Sequence, residues 1–513
     1  MKNTRTITLL TGVGLVMGST LASTAAPKNK PNVIFFLMDD MGYGDVGFQG
    51  QQKIETPNID ALAATGKILT SHYSGSPVSA PSRCVLLTGL HTGHAQIRGN
   101  DEQDERGDVW SFQGMTDDPS LEGQRPMDST TRTLAHAFQA AGYTTACIGK
   151  WGLGAPGSAS EPNRMGFDFF YGYNCQRISH TYYPPFLYKN RVREYLDNGV
   201  HSPMVSLGKD KDPLDERSYD EYQQKIYAPD RMFEETIDFI DANKTKPFFM
   251  WWTTPMPHAA LQAPKELVDY YHKKFGDEKP YLGGSYFPVR YPHATYAAMV
   301  TYIDQKIGAI IDKLKSDGIY ENTVIVFTSD NGPSCEGGSD SPYFYGARPF
   351  RSDWGWGKTS VMEGGLRVPT CVSWPGQIKA GSRSDMVSGF QDWWPTLLEL
   401  TGAKTKNNQS ALDGVSLVPT LTGKGKQQEH DYLYWEYPDR GGMVAVRQGE
   451  WKMVVKNISK TPTFALYDLK ADPTEKHDLS DVNPTKLAEL KSVAAQSHVE
   501  PSNPLFRMGL PLK

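Results

Sequence analysis

The sequence predicts an α/β protein in which helices sandwich a large, mostly parallel sheet, followed by a smaller C-terminal antiparallel sheet with a helix. Three observations predict this fold. Four short apolar runs end in polar or charged residues, helical patterns lie between these runs, and short strands with turns prevail after about residue 425. Strands that alternate with helices are typical of a parallel sheet, whereas closely spaced short strands favour antiparallel pairing.

The four apolar runs are short and continuous, which predicts strands that are buried on both faces. They span residues 33–38, 144–148, 248–252 and 324–327. Apolar residues recur at helical spacing over 134–141, 232–240 and 299–314. Gly142 and Gly318 stand where the first and last of these helices are expected to end, as is common for glycine at helix C-termini.

The C-terminal part differs in texture from the rest of the chain. Residues 432–435, 443–447, 451–455 and 464–467 predict four short strands, and residues 484–497 predict a closing helix. We therefore expect a main α/β domain over residues 27–425 and an α+β subdomain over residues 426–513. The Gly-, Ser- and Pro-rich stretch 332–349 predicts a long loop.

The N-terminus has the pattern of a secretory signal peptide over residues 1–26. Lys2 and Arg5 precede a short apolar stretch, and small residues follow at 22–26. We expect an exported protein with the periplasm as its destination, and secretion or display at the cell surface are the alternatives. The competing interpretation is an uncleaved anchor. No later segment is long and apolar enough to cross a membrane, so no stable membrane anchor is expected.

Composition restricts the classes of function. The 513 residues include 53 Lys and Arg against 58 Asp and Glu, which gives a formal charge of −5. A general nucleic-acid binder needs a basic surface, so we expect no nucleic-acid partner. The five cysteines show neither zinc-ligand spacing nor a dense disulfide framework. We expect most of them to be core thiols, and one or two disulfides stay open for an exported chain.

Polar residues follow the ends of the four predicted parallel strands. They are Asp39, Asp40, Lys150, His258, Asp330 and Asn331. Ligands collect beyond the carboxyl ends of the strands in such sheets. Ca²⁺ and Mg²⁺ prefer oxygen ligands such as carboxylates and amides, whereas zinc prefers nitrogen and sulfur. These residues therefore predict a site for a hard cation. Taken singly, Asp-Asp and Asp-Asn-Gly are also ordinary turn sequences.

The segment most specific to one protein family is Ser79-Ala80-Pro81-Ser82-Arg83. It is followed by an apolar run that ends in Thr88-Gly89. It resembles the signature of the type I sulfatases of the alkaline phosphatase superfamily, the arylsulfatase A and N-acetylgalactosamine-6-sulfatase types in particular. Further blocks at 32–45, 56–63, 357–369, 413–417 and 466–475 match the same family in order. The resemblance implies an alkaline phosphatase-like fold and hydrolysis of sulfate esters.

In this family the first residue of the signature is oxidised to formylglycine, so the resemblance implies that Ser79 is modified in a serine-type member. The hydrated aldehyde offers one hydroxyl that attacks sulfur and a second that later expels sulfate. The resemblance also implies a bound Ca²⁺ ion, with Mg²⁺ as the alternative. The residues expected to bind it are Asp39, Asp40, modified Ser79, Asp330 and Asn331. Asp330 is also a candidate base, and Arg83 is expected to hold the diol.

Further site residues follow from the same resemblance. The sulfate is expected to be surrounded by Lys150, Lys358 and His258, which would stabilise its developing charge. Either Lys358 or His258 is expected to protonate the departing sugar oxygen. For the sugar itself, polar and aromatic stretches between the motifs supply candidates. These are Arg98, Asn100, Arg177 and His180.

We expect a sulfated carbohydrate substrate, with 6-O-sulfated galactose or N-acetylgalactosamine favoured, and a cytoplasmic sulfatase-maturating enzyme as a partner. One departure from the family pattern is Gly152, where many members have a histidine. It is consistent with subfamily variation or with a weakened enzyme. Two alternatives stay open. Because sulfate and phosphate monoesters are similar in shape, one is a phosphate or phosphonate monoester hydrolase that uses unmodified Ser79; the other, which Gly152 suggests, is a catalytically weak protein that binds sulfated glycans.

Overall fold

The computed structural model describes residues 30–403 and 412–510, so the predicted signal peptide lies outside the described residues. The strands are β1 (Asn32–Met38), β2 (Lys67–Leu69), β3 (His72–Tyr73), β4 (Thr144–Lys150), β5 (Phe169–Tyr173), β6 (Phe186–Lys189), β7 (Val192–Tyr195), β8 (Phe248–Thr253), β9 (Thr323–Ser329), β10 (Cys371–Ser373), β11 (Ser382–Ser384), β12 (Ser388–Gly389), β13 (Leu433–Tyr437), β14 (Met443–Gln448), β15 (Trp451–Lys456) and β16 (Thr463–Asp468).

The α-helices lie between these strands. They are α1 (Pro57–Ala64), α2 (Ser79–Thr88), α3 (Phe112–Asp117), α4 (Leu134–Ala140), α5 (Ala228–Asn243), α6 (Lys265–Phe275), α7 (Pro292–Ser316), α8 (Ser341–Phe344), α9 (Glu363–Leu366), α10 (Trp393–Thr401), α11 (Val418–Thr422) and α12 (Pro484–Ser497).

A ten-stranded sheet forms the centre of the molecule, in the order β11-β2-β10-β9-β1-β8-β4-β5-β6-β7. The five strands from β9 to β5 in this order run parallel to one another, and β10 and β6 join them antiparallel on the two sides. The four predicted apolar runs are β1, β4, β8 and β9, which lie side by side. Every residue of β1 is buried, as expected for a strand that is covered on both faces.

Helices cover both faces of this sheet. Phe138 of α4 stacks on Phe249 with ring centroids 4.5 Å apart, and Phe239 of α5 packs edge-on against Phe248 at 5.7 Å. Phe248 and Phe249 are successive residues of β8, so their side chains point to opposite faces. The contacts place α4 and α5 on opposite sides of the sheet. The fold class predicted from the sequence is confirmed.

The C-terminal strands form a separate antiparallel sheet in the order β13-β14-β15-β16. Alternate residues serve two apolar clusters: Trp435 and Ala445 pack with Tyr73 and Val361 of the main body, and the face with Tyr434 packs with residues of α12. Period-two alternation with both faces apolar explains why the sheet is buried on both sides. The domain division at residue 425 stays a prediction.

Two further expectations concern cysteines and membranes. All five cysteines are free thiols, and four of them are buried, so the core-thiol interpretation holds and the open question of a disulfide is answered for this structure. Within residues 30–403 and 412–510, none of the helices has the length and apolar character needed to span a bilayer.

Candidate active site

The carboxyl ends of four adjacent strands bring the predicted polar residues together. Met38 of β1 is in register with Ser329 of β9, so Asp39 and Asp330 follow side by side. The backbone N–H of Asp330 donates to the carbonyl of Met38 at 2.9 Å, and that of Asp40 donates to Asp330 Oδ1 at 3.2 Å. This interlocking of the two strand ends fixes the spacing of the carboxylates.

Helix α2 presents Ser79 and Arg83 to these carboxylates. The helix begins at Ser79, so Pro81 lies in the first turn, where a proline is tolerated, and residues four apart share one helix face. Ser79 Oγ donates to Asp39 Oδ1 at 2.9 Å, while Arg83 Nε and Nη2 donate to Asp330 Oδ2 at 3.0 and 2.8 Å. The Ser-X-Pro-X-Arg spacing therefore aims both polar side chains at the same strand ends.

Lys150, the last residue of β4, joins Asp39, Asp330, Ser79 and Arg83, and these five buried residues form the floor of the site. Its Nζ lies 2.6 Å from Asp39 Oδ2 and 3.4 Å from Ser79 Oγ. Burial lowers the pKa of Lys150, although the nearby Asp39 carboxylate opposes that effect. Burial raises the pKa of Asp39, but Lys150 and His258 outweigh it and hold that pKa well below its ordinary value.

Asp330 differs from Asp39 in its electrostatic surroundings. Burial and the negative charge of Asp39 raise the pKa of Asp330 to about 6, against the influence of Arg83. Two buried carboxylates near one arginine thus separate in pKa, the arrangement by which proteins assign different protonation roles to like groups. Asp330 is the one better suited to accept a proton.

Lys358 and His258 stand on the open side of the floor. Lys358 Nζ lies 2.7 Å from Asp40 Oδ2, and His258 Nε2 lies 3.7 Å from the same atom. His258 Nδ1 lies 2.5 Å from the carbonyl of Ala259, so Nδ1 carries a proton and Nε2 faces the site. Burial lowers the pKa of His258 and Lys358 lowers it further, whereas Asp40 raises the pKa of Lys358 above its ordinary value despite burial.

The floor opens into a cavity of about 1250 Å³. Ser79, His258 and Lys358 line it at the strand ends, together with three of the residues expected to contact sugar: Asn100, Arg177 and His180. Rings of His180 and His258 stack with centroids 5.3 Å apart and planes 12° apart. Asn100 Oδ1 accepts from the backbone N–H of Ala80 at 3.0 Å, so this residue also contacts the start of α2.

Arg98 does not contact the cavity, so its expected role in binding the sugar is wrong. It is not among the residues that line the cavity; its side chain is buried, donates to the carbonyl of Ala95 at 2.9 Å and pairs with Glu436 of β13. A polar residue close in sequence to the nucleophile segment was expected to face the substrate. The chain turns between Arg98 and Asn100, so Arg98 instead joins the loop after α2 to the C-terminal sheet.

The oxygen donors fit a hard cation. Within the described residues, Asn331 Oδ1 is buried and has no hydrogen-bond partner, although its Nδ2 donates to Asp40 Oδ1 at 2.7 Å. Ligand atoms of Asp39, Asp40 and His258 lie within 4.8 Å of one another. An orphaned amide oxygen beside three carboxylates, Asp330 included, is a donor set that Ca²⁺ or Mg²⁺ would satisfy.

Two more residues contribute to the site; the first was missed from the sequence, and the second lies in a polar stretch, 175–184, that was expected to contact the sugar. Thr253, the last residue of β8, accepts a short hydrogen bond from Arg83 through its hydroxyl, and its position at a strand end is the signal that identifies it. Gln176 is the second: its side chain lines the cavity beside Gly152, where an added Cβ would lie 3.1 Å from Gln176 Cγ. Gly152 has φ +72°, a conformation that disfavours any side chain.

Comparison with known proteins agrees with this geometry. The family model described as Sulfatase matches residues 31–403, and one described as N-sulphoglucosamine sulphohydrolase, C-terminal, matches 352–497. The N-acetylgalactosamine-6-sulfatase of Mus musculus is 30% identical over 448 residues, 84% of this chain and 73% of that protein. Arylsulfatase A of Bos taurus is 29% identical over 494 residues, 90% of this chain and 85% of that protein.

Solved structures match over nearly the whole chain. Ps i-CgsB in complex with k-i-k-neocarrahexaose has a TM-score of 0.71 and 26% identity, and the match covers 94% of each chain. The complex of BT4656 with D-glucosamine-2-N,6-O-disulfate has a TM-score of 0.66 at 21% identity and covers 91% of this chain and 97% of that one. At 21% identity, the match to BT4656 shows a shared fold.

Proposed function

Because this chain belongs to the sulfatase family, we propose that it hydrolyses the sulfate esters of sugars at Ser79, with the cavity above that residue holding the sugar. The chain is a sulfuric ester hydrolase by its family and its relatives. The observation that carries the choice of Ser79 is its position: the side chain is buried among Asp39 and Lys150 and borders the cavity.

Asp39, Asp40, Asp330 and Asn331 would hold a Ca²⁺ ion, with Mg²⁺ as the alternative. The unpartnered Asn331 Oδ1 supports this assignment, and the all-oxygen set favours a hard cation. A cation bound there lowers the pKa of an adjacent hydroxyl and neutralises charge on the substrate. Because calcium accepts six to eight oxygens in loose geometry, these side chains leave room for oxygen atoms from residue 79 and the sulfate.

We assign to Ser79 the modification to formylglycine. An unmodified serine is a weak nucleophile unless a base activates it, and its neighbours Asp39 and Lys150 form an ion pair with each other. The hydrated aldehyde supplies a nucleophilic hydroxyl and a second hydroxyl that releases sulfate. Arg83 holds Asp330 and Asp39 in place, and Asp330, with the higher pKa of the two, accepts the proton of the hydroxyl that attacks sulfur. The second hydroxyl loses its proton to the neutral His258 as the C–O bond to sulfate breaks and the aldehyde re-forms.

The cavity side of the site binds the ester. Lys358 stays protonated beside Asp40 and neutralises the oxygens of the sulfate, as Lys150 does from below. His258 acts in its protonated form, which Asp40 and Asp39 favour: with Nδ1–H held by the Ala259 carbonyl, the second proton lies on Nε2 and passes to the departing sugar oxygen. Sugar alkoxides are poor leaving groups, so this proton transfer is needed for sugar esters more than for aryl esters.

The relatives and the cavity together support the proposed substrate class. The relatives include N-acetylgalactosamine-6-sulfatases, and a solved match holds a neocarrahexaose. We therefore favour O-sulfated galactose or N-acetylgalactosamine, with the 6-O-sulfate preferred, as components of glycans. Asn100, Arg177 and His180 line the space for the sugar. Export to the periplasm and oxidation of Ser79 by a cytoplasmic maturating enzyme complete the proposal.

Two measurements on protein from native cells test it. Mass spectrometry of the peptide with Ser79 is expected to show the loss of two hydrogen atoms, and sulfate release from a panel of singly sulfated monosaccharides is expected to be highest for a 6-O-sulfated galacto sugar. An intact serine with hydrolysis of phosphate or phosphonate monoesters would replace the proposal with its superfamily alternative. Modified protein that binds calcium, binds sulfated sugar and hydrolyses no sulfate ester would indicate a glycan-binding protein.

A further inference from the structure

Carboxylates outnumber the lysine and arginine side chains that line the cavity above Ser79. Its volume, about 1250 Å³, exceeds the roughly 300–1,000 Å³ of typical small-molecule pockets, so it can hold more than the sulfated unit. Apart from Lys358 and histidines, the basic side chains that line it are Arg177, Lys279 and Arg440, against six carboxylates: Asp101, Glu102, Asp104, Glu336, Asp340 and Asp353. Four of the six are paired, Asp101 with Arg125, Glu336 with Arg440, Asp340 with His293 and Asp353 with Arg351. An acidic outer wall is unexpected in an enzyme whose substrate is an anion, because like charges across a binding site are repulsive.

Glu102 is a carboxylate of this wall with a buried oxygen that lacks a partner. Its Oε2 is buried, and within residues 30–403 and 412–510 no group hydrogen-bonds to it. On the same cavity, Arg177 Nε is a buried donor without a partner in the described structure. Buried polar atoms are nearly always hydrogen-bonded, so the acceptor on Glu102 and the donor on Arg177 offer two hydrogen bonds that a ligand able to donate and to accept would complete.

Trp110 provides a flat surface next to this pair. The Arg177 guanidinium carbon lies 3.4 Å from the centroid of the Trp110 ring, and 54% of the tryptophan surface is exposed. Stacking on the guanidinium fixes the indole, and its free surface is large and apolar, as suits the apolar face of a sugar ring. A sugar placed there directs its hydroxyls outward from the ring, where they can donate to Glu102 and accept from Arg177.

We propose that Glu102, Arg177 and Trp110 form a subsite for an uncharged, hydroxyl-bearing part of the substrate, in which Glu102 excludes a second anionic group. A hydroxyl satisfies both orphaned atoms, whereas a second sulfate has no proton to offer Glu102 and is repelled by it. The enzyme would then prefer singly sulfated sugars over polyanionic ones. This inference rests on the proposed function, since it assumes a sulfated sugar in this cavity.

Calorimetry with an inactive form of the full chain tests the preference directly. In the Ser79→Ala variant, N-acetylgalactosamine 6-sulfate is expected to bind about tenfold more tightly than N-acetylgalactosamine 4,6-disulfate, a difference of about 1.4 kcal/mol. Burial raises the pKa of Glu102 to about 7, although Arg177 lowers it, so the measurement is made at pH 8, where the carboxylate is ionised. Equal or tighter binding of the disulfate, or no measurable binding of the monosulfate, would overturn the proposal.

A second substitution identifies Glu102 as the cause. Glu102→Gln keeps the shape and removes the charge, and is expected to reduce the preference to less than about threefold. Glu105→Gln is the matched control: it removes the same charge three residues later, from an exposed side chain that pairs with Arg125 at 2.9 Å and does not line the cavity. An unchanged preference in Glu102→Gln, or the same loss in both variants, would refute the role of Glu102.

The proposed function is checked separately with the unsubstituted chain and 4-nitrocatechol sulfate, which carries no sugar. Hydrolysis of this ester without any preference between the two sugars rejects the subsite and leaves the sulfatase proposal intact. Failure of the matured chain to hydrolyse any sulfate ester rejects the proposed function itself. Trp110→Ala is expected to weaken the binding of both sugars by a similar factor, because the ring contributes contact area and no charge.

Discussion

Replacing His258 with alanine is expected to slow the hydrolysis of sugar sulfates far more than that of aryl sulfates. Nδ1 of His258 is fixed 2.5 Å from the Ala259 carbonyl, and Nε2 faces the cavity, so the side chain is aimed at the ester. Positioned proton transfer contributes about 10²–10⁴-fold to a rate. A nitrophenolate leaves without protonation, so its release needs little of this contribution.

The structure also sets the size of the difference. His258 makes no hydrogen bond to the carboxylates within the described residues, and its nearest approach to Asp40 is 3.7 Å. Its removal therefore leaves the buried floor paired. We expect kcat for a galactose 6-sulfate ester to fall by about 10²–10³-fold, which corresponds to about 2.7–4 kcal/mol of activation free energy, and kcat for 4-nitrophenyl sulfate to fall by less than about tenfold.

Lys358→Ala is the comparison that separates the two roles. Lys358 pairs with Asp40 at 2.7 Å and is expected to neutralise sulfate oxygens, which both kinds of ester carry, so its loss should slow both by similar factors. His477→Ala, at a side chain that is 79% exposed, controls for the general effect of losing an imidazole. Steady-state kinetics on calcium-loaded, fully modified protein gives eight rates, those of the unsubstituted chain and the three variants with each of the two esters. An equal loss for the two esters in His258→Ala would refute proton donation by His258.

Three further outcomes are expected. Asn331→Ala should weaken Ca²⁺ binding at least tenfold by calorimetry and remove most of the rise in melting temperature that calcium gives the unsubstituted chain; unchanged affinity would exclude the amide as a ligand. Lys452→Met should lower the free energy of unfolding by about 3–5 kcal/mol in urea, because it removes the cation that pairs with the two buried carboxylates Glu363 and Glu475, each at 2.9 Å, whereas Lys470→Met at an exposed position should change it little. Gly152→Ala should cost about 1–2 kcal/mol by the same measurement because φ is +72°, and an unaltered stability would show that the backbone relaxes there.

The strand ends were predictable because the physics that forms them is local. A continuous apolar run such as 33–38 has few alternatives to a buried strand, and a parallel sheet places the carboxyl ends of its strands at one edge. Asp39 and Asp330 therefore lie side by side although they are 291 positions apart in the sequence. The spacing from Ser79 to Arg83 is similarly a property of one helix face.

The outer cavity could not be predicted in the same way. Residues 101–133 contain few apolar residues at regular spacing, so no periodicity indicates which side chains face inward. Arg98 and Asn100 are two residues apart, yet the first is buried against Glu436 and the second lines the cavity. Loop direction depends on long-range contacts with the C-terminal sheet, and a local pattern does not encode those contacts.

The two ends of the site differ in how they depend on charge. At the floor, each ionised group is held by another: Lys150 by Asp39, and Arg83 by Asp330. Removing one of these leaves a buried charge without a partner, which destabilises the fold as well as the reaction. In the outer cavity, Glu102 carries a carboxylate oxygen without a hydrogen-bond partner in the described chain, so neutralising it removes a cost rather than a bond. Substitution at the floor should therefore lower activity and stability together, while Glu102→Gln should change selectivity and leave the melting temperature equal or higher.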